Sequence, residues 1–124
     1  MAAAMIDHVG FEVSNLGRSA QFYDALFFAL GARRIVDSEH AIAYGVNGPE
    51  FWIVVRGRAP GAGYGHIALH ASGKAAVDAA YRAALTAGGG DEGPPGQRPQ
   101  YGARYYAAYL RDPDGLRVEV VSRR

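Results

Sequence analysis

The chain repeats itself once. His8-Val-Gly-Phe-Glu-Val13 and His66-Ile-Ala-Leu-His-Ala71 follow one pattern: a histidine, then apolar, small, apolar, polar and apolar positions. A helical run of apolar or small residues follows each, and each half closes on a hairpin with glycine at its turn. Repetition of this kind constrains architecture before any single motif does, because one supersecondary unit is built twice and the copies are packed together. The unit reads as strand, helix and three strands. The expected fold class is therefore α+β, with two βαβββ modules.

In the first copy, residues 6–13 are apolar and β-branched with no helical period, which marks a strand. Alternation puts His8 on one side with Ile6, Gly10 and Glu12, and Val9, Phe11 and Val13 on the other. Ser14 and Asn15 offer N-cap oxygens. Leu16, Ala20, Tyr23, Leu26, Phe27 and Leu30 then form one helical stripe, and Gly31 stops it. Strands are expected at residues 32–37, 41–46 and 50–56, with Asn47-Gly48 as a tight hairpin turn. Residues 57–64, rich in glycine, link to the second copy. There, residues 65–71 read as a strand and the alanine-rich run from Ala75 to Leu85 as a helix closed by Gly88-Gly89-Gly90. Residues 91–102 carry Pro94, Pro95 and Pro99 and read as a long loop, with a short strand placed around residues 89–92. Strands at 104–110 and 116–121 flank the turn Asp112-Pro-Asp-Gly115. Residues 1–124 make one domain, its modules at 5–56 and 65–122.

Composition narrows the function. Of 124 residues, 49% are hydrophobic and 20% charged, and the net charge is +1. That suits an ordinary globular protein and gives no broad attraction to nucleic acid or to an anionic membrane. There is no cysteine, so a metal here is held by nitrogen and oxygen, and disulfides and a thiol nucleophile are excluded. The opening Met1-Ala-Ala-Ala-Met5 is too short and uncharged for a signal peptide, and no apolar run reaches bilayer length. The expected location is the cytoplasm.

Aligned on Gly48 and Gly115, the closing strands match Trp52 to Glu119, with Glu50 on the same face two residues before Trp52. If the modules pack about a pseudo-twofold axis, His8 and His66 face each other and Glu119 joins them. Two imidazoles and a carboxylate on rigid strands suit a divalent ion such as Fe, Zn, Ni or Mn, and leave coordination positions open for substrate. Taken alone, each histidine also reads as structural and Glu119 as solvent-facing; the match across the repeat favours a site. His70 shares the face of His66 and either lines the cleft or lies on the surface. Tyr105 and Tyr109 share one face and Tyr106 takes the other; one face is core and the other pocket, and the sequence does not choose. Arg98, Gln100 and Arg104, in or beside the proline-rich loop, are contacts for an anionic substrate or solvated loop residues. One of Phe51 and Trp52 faces the cleft.

Together these features resemble the vicinal oxygen chelate superfamily, the glyoxalase, bleomycin resistance and dioxygenase group. The resemblance rests on Ile6-Asp-His8-Val, Arg18-Ser-x-x-Phe-Tyr23, Leu30-Gly31, Gly65-His66-Ile-Ala and Asp112-Pro-Asp-Gly115-x-x-x-Glu119, which span nearly the whole chain. It implies a glyoxalase-like, U-shaped mixed-sheet cleft with a divalent metal ion at its floor. The metal ligands it implies are His8, His66 and Glu119, with Glu119 also catalytic. Trp52, Tyr105, Tyr106, Arg104 and His70 are then the substrate contacts. The implied activity is that of a metal-dependent lyase, isomerase or dioxygenase acting on a small oxygen-chelating substrate, as a homodimer. The alternative is an antibiotic-sequestering protein without chemistry. Glyoxalase I types carry a second glutamate where Trp52 stands, so a four-ligand site is not expected. The modules close within one chain, or swap so that His8 meets His66 and Glu119 of a partner.

Overall fold

The computed structural model describes residues 5–61 and 63–124. The reading of residues 1–4 as no leader, and Ala62 within the linker, lie outside the described residues. The first module runs β1 (Val9–Glu12), α1 (Leu16–Ala29), β2 (Arg33–Asp37), β3 (Ala41–Gly45) and β4 (Phe51–Val54). The second runs β5 (His66–His70), α2 (Lys74–Thr86), β6 (Gly90–Gln97), β7 (Tyr106–Arg111) and β8 (Arg117–Ser122), with a 3-10 turn at Pro99–Tyr101. The two sheets have orders β1-β4-β3-β2 and β5-β8-β7-β6. In each, the first strand pairs in parallel with the last and the remaining pairs are antiparallel. This is the βαβββ unit twice over.

Asn15 caps α1, its Oδ1 accepting from Arg18 N at 2.9 Å, and Gly31 ends it with φ 84°. The buried stripe of α1 carries Phe22, Tyr23, Leu26 and Phe27, and its rings stack on Tyr44 and Phe51 of the first sheet. Val77, Ala80 and Ala84 are the fully buried positions of α2, and their small size lets α1 pack against it. The closeness is visible at Gly89, where a Cβ would lie 2.6 Å from Phe22 Cε1. One apolar core thus runs through both modules.

Two local expectations are corrected. The region expected as a loop, 91–102, is mostly β6, an edge strand that pairs through Gly90, Asp91, Gly93, Gly96 and Gln97. Pro94 and Pro95 fall inside an irregularity between Gly93 and Gly96, where no ladder hydrogen bond is needed, so the strand tolerates them. Asn47-Gly48 is not a two-residue turn but part of the longer connection from Val46 to Glu50. Glycine is required at its start: a Cβ on Gly45 would sit 1.7 Å from the Gly48 carbonyl oxygen.

Candidate metal centre and its surroundings

Alternation on β8 sorts the second sheet into two faces. Val118, Val120 and Ser122 turn towards the core side and are fully buried. Arg117, Glu119 and Val121 occupy the other face, together with His66, Ala68 and His70 of β5 and Ala107 and Tyr109 of β7. Ala107, Tyr109 and Val121, packed with Tyr105, form a small second cluster there.

Glu119 lies at the centre of this face and is 2% exposed. A carboxylate so placed needs partners. The Tyr105 hydroxyl donates to its Oε2, and His66 Nε2 lies 3.2 Å from its Oε1. Burial and the Glu119 acceptor push the Tyr105 hydroxyl up to about 12, so it keeps its proton at neutral pH and serves as donor. Burial and the nearby Glu119 charge raise Tyr109 as well. Arginines layer over these rings: Arg117 lies 4.2 Å and Arg98 5.6 Å from the centre of Tyr109, and Arg123 4.7 Å from that of Tyr105.

His8 stands just before β1. Its Nδ1 is 2.6 Å from Asp7 Oδ1 and its ring meets Trp52 edge-on at 6.5 Å between centres. The seam between modules explains why it does not reach His66. One cavity of about 380 Å³ joins Gly10 and Glu12 to Gly65 and His66. A second, of about 390 Å³, joins His8 and Val9 to Ile67, Leu69 and His70. His8 and His66 thus line different cavities between the modules. Among the described residues no three His, Asp or Glu side chains of one chain converge as a metal cage, so of the two pairings left open by the sequence the meeting of His8, His66 and Glu119 inside one chain is not seen.

The register places Trp52 opposite Gly10 in the first sheet, as Glu119 lies opposite Ala68 in the second. Trp52 thus holds the position equivalent to Glu119 and shares a face with His8, while Phe51 is core. Glu50 turns to its own hairpin, accepting from Val46 N at 3.2 Å. Tyr106 turns to the helix side: its hydroxyl donates to Asp78 of α2 at 2.6 Å, and that bond together with burial raises its pKa. Arg104 is exposed in the turn before β7. His70 is exposed and lines the second cavity beside His8. Arg117, two residues before Glu119 on β8, and Arg123, just past the strand's end, were missed by sequence reasoning, although alternation counted from Glu119 was signal enough to find them.

A model of the Glyoxalase/Bleomycin resistance protein/Dioxygenase superfamily matches residues 5–120. The chain belongs to this superfamily. A crystal structure of a glyoxalase/bleomycin resistance protein from Albidiferax ferrireducens T118 is 32% identical, with a TM-score of 0.85 over 98% of this chain and 100% of that one. Two further solved structures share the fold. A glyoxalase-related enzyme from Fulvimarina pelagi is 20% identical with TM-score 0.75, covering 97% of this chain and 88% of its own. The fosfomycin resistance protein FosX from Listeria monocytogenes is 18% identical with TM-score 0.71, covering 98% and 94%. Among curated proteins none matches the chain closely enough to carry an argument. Among the described residues no helix is long and apolar enough to cross a membrane.

The superfamily implies a divalent metal, and among the described residues one chain offers it two neighbouring donors rather than a complete cage. An imidazole nitrogen and a carboxylate oxygen stand 3.2 Å apart on adjacent strands, and the second carboxylate oxygen is fixed by Tyr105.

Proposed function

We propose that the chain is a divalent-metal-dependent enzyme acting on a small substrate that presents neighbouring oxygens, in a site shared by two copies. His66 and Glu119 of one copy hold the metal with His8 of the other. The observation that carries this reading is the approach of His66 Nε2 to the buried Glu119 Oε1 at 3.2 Å. Among the described residues no lysine or arginine nitrogen lies within 4.0 Å of this carboxylate. The outward positions of the edge strands, His8 and Gly10 on β1 and His66, Ala68 and His70 on β5, are exposed, which leaves room for a second copy to bring its own His8 edge.

A bound divalent ion would supply Lewis-acid activation of the substrate oxygens, whether the outcome is isomerisation, lyase chemistry or oxygenation. The protein's own groups do the positioning. Tyr105 holds Glu119 Oε2 and keeps the carboxylate turned to His66. Glu119 Oε1 is the atom best placed to hold a proton released from the substrate. Tyr109, beside both Glu119 and His66, walls the site and keeps water from its floor. Trp52 of the first module supplies an apolar wall where a four-ligand site has a carboxylate.

Trp52 also favours the second reading, sequestration of a small, partly aromatic molecule without chemistry, because it offers an aromatic surface in place of a ligand. The test begins with Mn(II) titrated into purified protein and followed by electron paramagnetic resonance. One ion bound per chain, lost in both His66→Ala and Glu119→Gln, supports the metal reading. Undiminished binding in either variant overturns the assignment. Thermal-shift screening against thioesters, catechols, α-keto acids and peptide antibiotics follows, and turnover of any ligand found rules out pure sequestration.

A further inference from the structure

We infer that the substrate of this site carries an oxyanion, a carboxylate, phosphate or phosphonate, and that Arg98, Arg117 and Arg123 receive it. The inference rests on reading His66 and Glu119 as the centre of the site.

The three guanidinium groups share the Glu119 face. Arg117 precedes Glu119 by two residues on β8, and Arg123, just past the end of the strand, continues the alternation. Arg98 reaches the same face from β6 and the turn that follows it. Among the described residues none of the three lies within 4.0 Å of a carboxylate, whereas Arg18, Arg34, Arg58 and Arg111 are each paired with one. Stacking on Tyr105 and Tyr109 orients these cations without neutralising them.

Arg98 shows how far the backbone is shaped for this. Its Nη2 donates to the carbonyls of Pro94 at 2.7 Å and Ala107 at 3.3 Å, which fixes the guanidinium plane. Gly93, at φ 155°, leaves the space: a Cβ there would lie 3.3 Å from Tyr109 Cδ2 and 3.5 Å from Arg98 Nη2. Among the described residues Arg98 Nε is buried without a hydrogen-bond partner. Three arginines without a carboxylate partner add positive charge to this face, which disfavours a bound dication. An arriving oxyanion offsets that charge and meets the fork geometry that guanidinium offers.

The test uses the full chain, metal-free, at fixed ionic strength, titrated with inorganic phosphate, methylphosphonate and acetate and followed by calorimetry. Saturable binding of a tetrahedral probe or of acetate is expected, and the contrast between them tells phosphate-like from carboxylate chemistry. Arg117→Gln and Arg123→Gln should each weaken binding about tenfold, while Arg82→Gln, on the exposed side of α2, leaves it unchanged. Thermal unfolding of each variant shows that it is folded, and Arg117 and Arg123 are chosen because neither bonds the backbone as Arg98 does. The inference is overturned if no probe saturates, or if both variants bind as tightly as the parent. Mn(II) binding measured on the same samples keeps the two readings apart: anion binding without any metal binding sinks the metal site alone, and metal binding without anion binding sinks this inference alone.

Discussion

The Tyr23 hydroxyl donates to Asp112 Oδ2 at 2.6 Å, tying the helix of the first module to the closing turn of the second. Both groups are buried, at 0% and 5% exposure. Asp112 Oδ1 accepts from the backbone of Asp114 and Leu116, each at 2.9 Å, which shapes the turn. Asp114 in turn accepts from Ser14 N at 3.1 Å and Arg18 Nη2 at 3.0 Å. Asp112-Pro-Asp-Gly115 is therefore a clasp between modules as well as a turn. Burial and the Asp112 charge push the Tyr23 pKa well up, so its hydroxyl keeps the proton it donates.

Tyr23→Phe removes this donor and leaves the buried Asp112 carboxylate short of one partner. The expected loss of stability is about 1–3 kcal/mol, read from urea unfolding. An unchanged midpoint would show that the clasp contributes nothing. Asp114→Ala, at a more exposed link, should cost less, about 1 kcal/mol or below.

Much of this was legible in the sequence. The repeat alone gave the βαβββ order, because the apolar periods switch from two to between three and four and back in both halves. Only the start of β6 was legible, in the short strand placed around residues 89–92; the rest was not, since Pro94 and Pro95 signal a loop unless an edge position and a bulge are known in advance. The choice between Tyr105 and Tyr106 needed the location of α2, because both faces of β7 are apolar. The largest gap concerns His8 and His66. Repetition makes them equivalent, but equivalence is not proximity, and within one chain the two line different cavities.

The Asp24 cluster sets an acid limit on stability. Burial works against the ionised Asp24, but hydrogen bonds from Arg34 at 2.8 and 2.9 Å and from Tyr44 at 2.7 Å outweigh it and lower its pKa. A folded pKa below the unfolded one means a contribution that is full above the ordinary aspartate range and lost as pH falls through the folded value. The stability gap between the parent and Asp24→Asn should hold steady above about pH 5 and close below about pH 4. Its size should stay near 1 kcal/mol, because the Asp24 side chain is 44% exposed. A gap that widens in acid would contradict the sign.

Sharing of the site between copies has a direct signature. A hybrid of one His8→Ala chain and one Glu119→Gln chain contains one intact site and one doubly defective site if ligands come from both chains. It contains no intact site if each chain builds its own. Mixing the two variants after mild unfolding and refolding should restore Mn(II) binding to roughly a quarter of the parental level, half of the dimers being hybrids with one good site of two. Each variant alone should bind little. No recovery in verified hybrids would remove the shared-site reading.

The register of the two sheets supports one constructive experiment. Trp52 stands to Gly10 as Glu119 stands to Ala68, and it shares its face with His8. Trp52→Glu therefore puts a carboxylate at the place in the first module that Glu119 holds in the second. Replacing a half-buried indole by a charge should cost about 1–3 kcal/mol of stability, measurable as a lower unfolding midpoint. If His8 is a ligand, the new carboxylate joins it at the metal, and Mn(II) affinity should rise about tenfold or more despite that loss. The gain should vanish in the double variant with His8→Ala, since a carboxylate acting without His8 has no reason to depend on it. Equal affinity in the parent, the single and the double variant would mean that the His8 face takes no part in holding the ion, and that the asymmetry between Trp52 and Glu119 separates a binding wall from a metal-holding one.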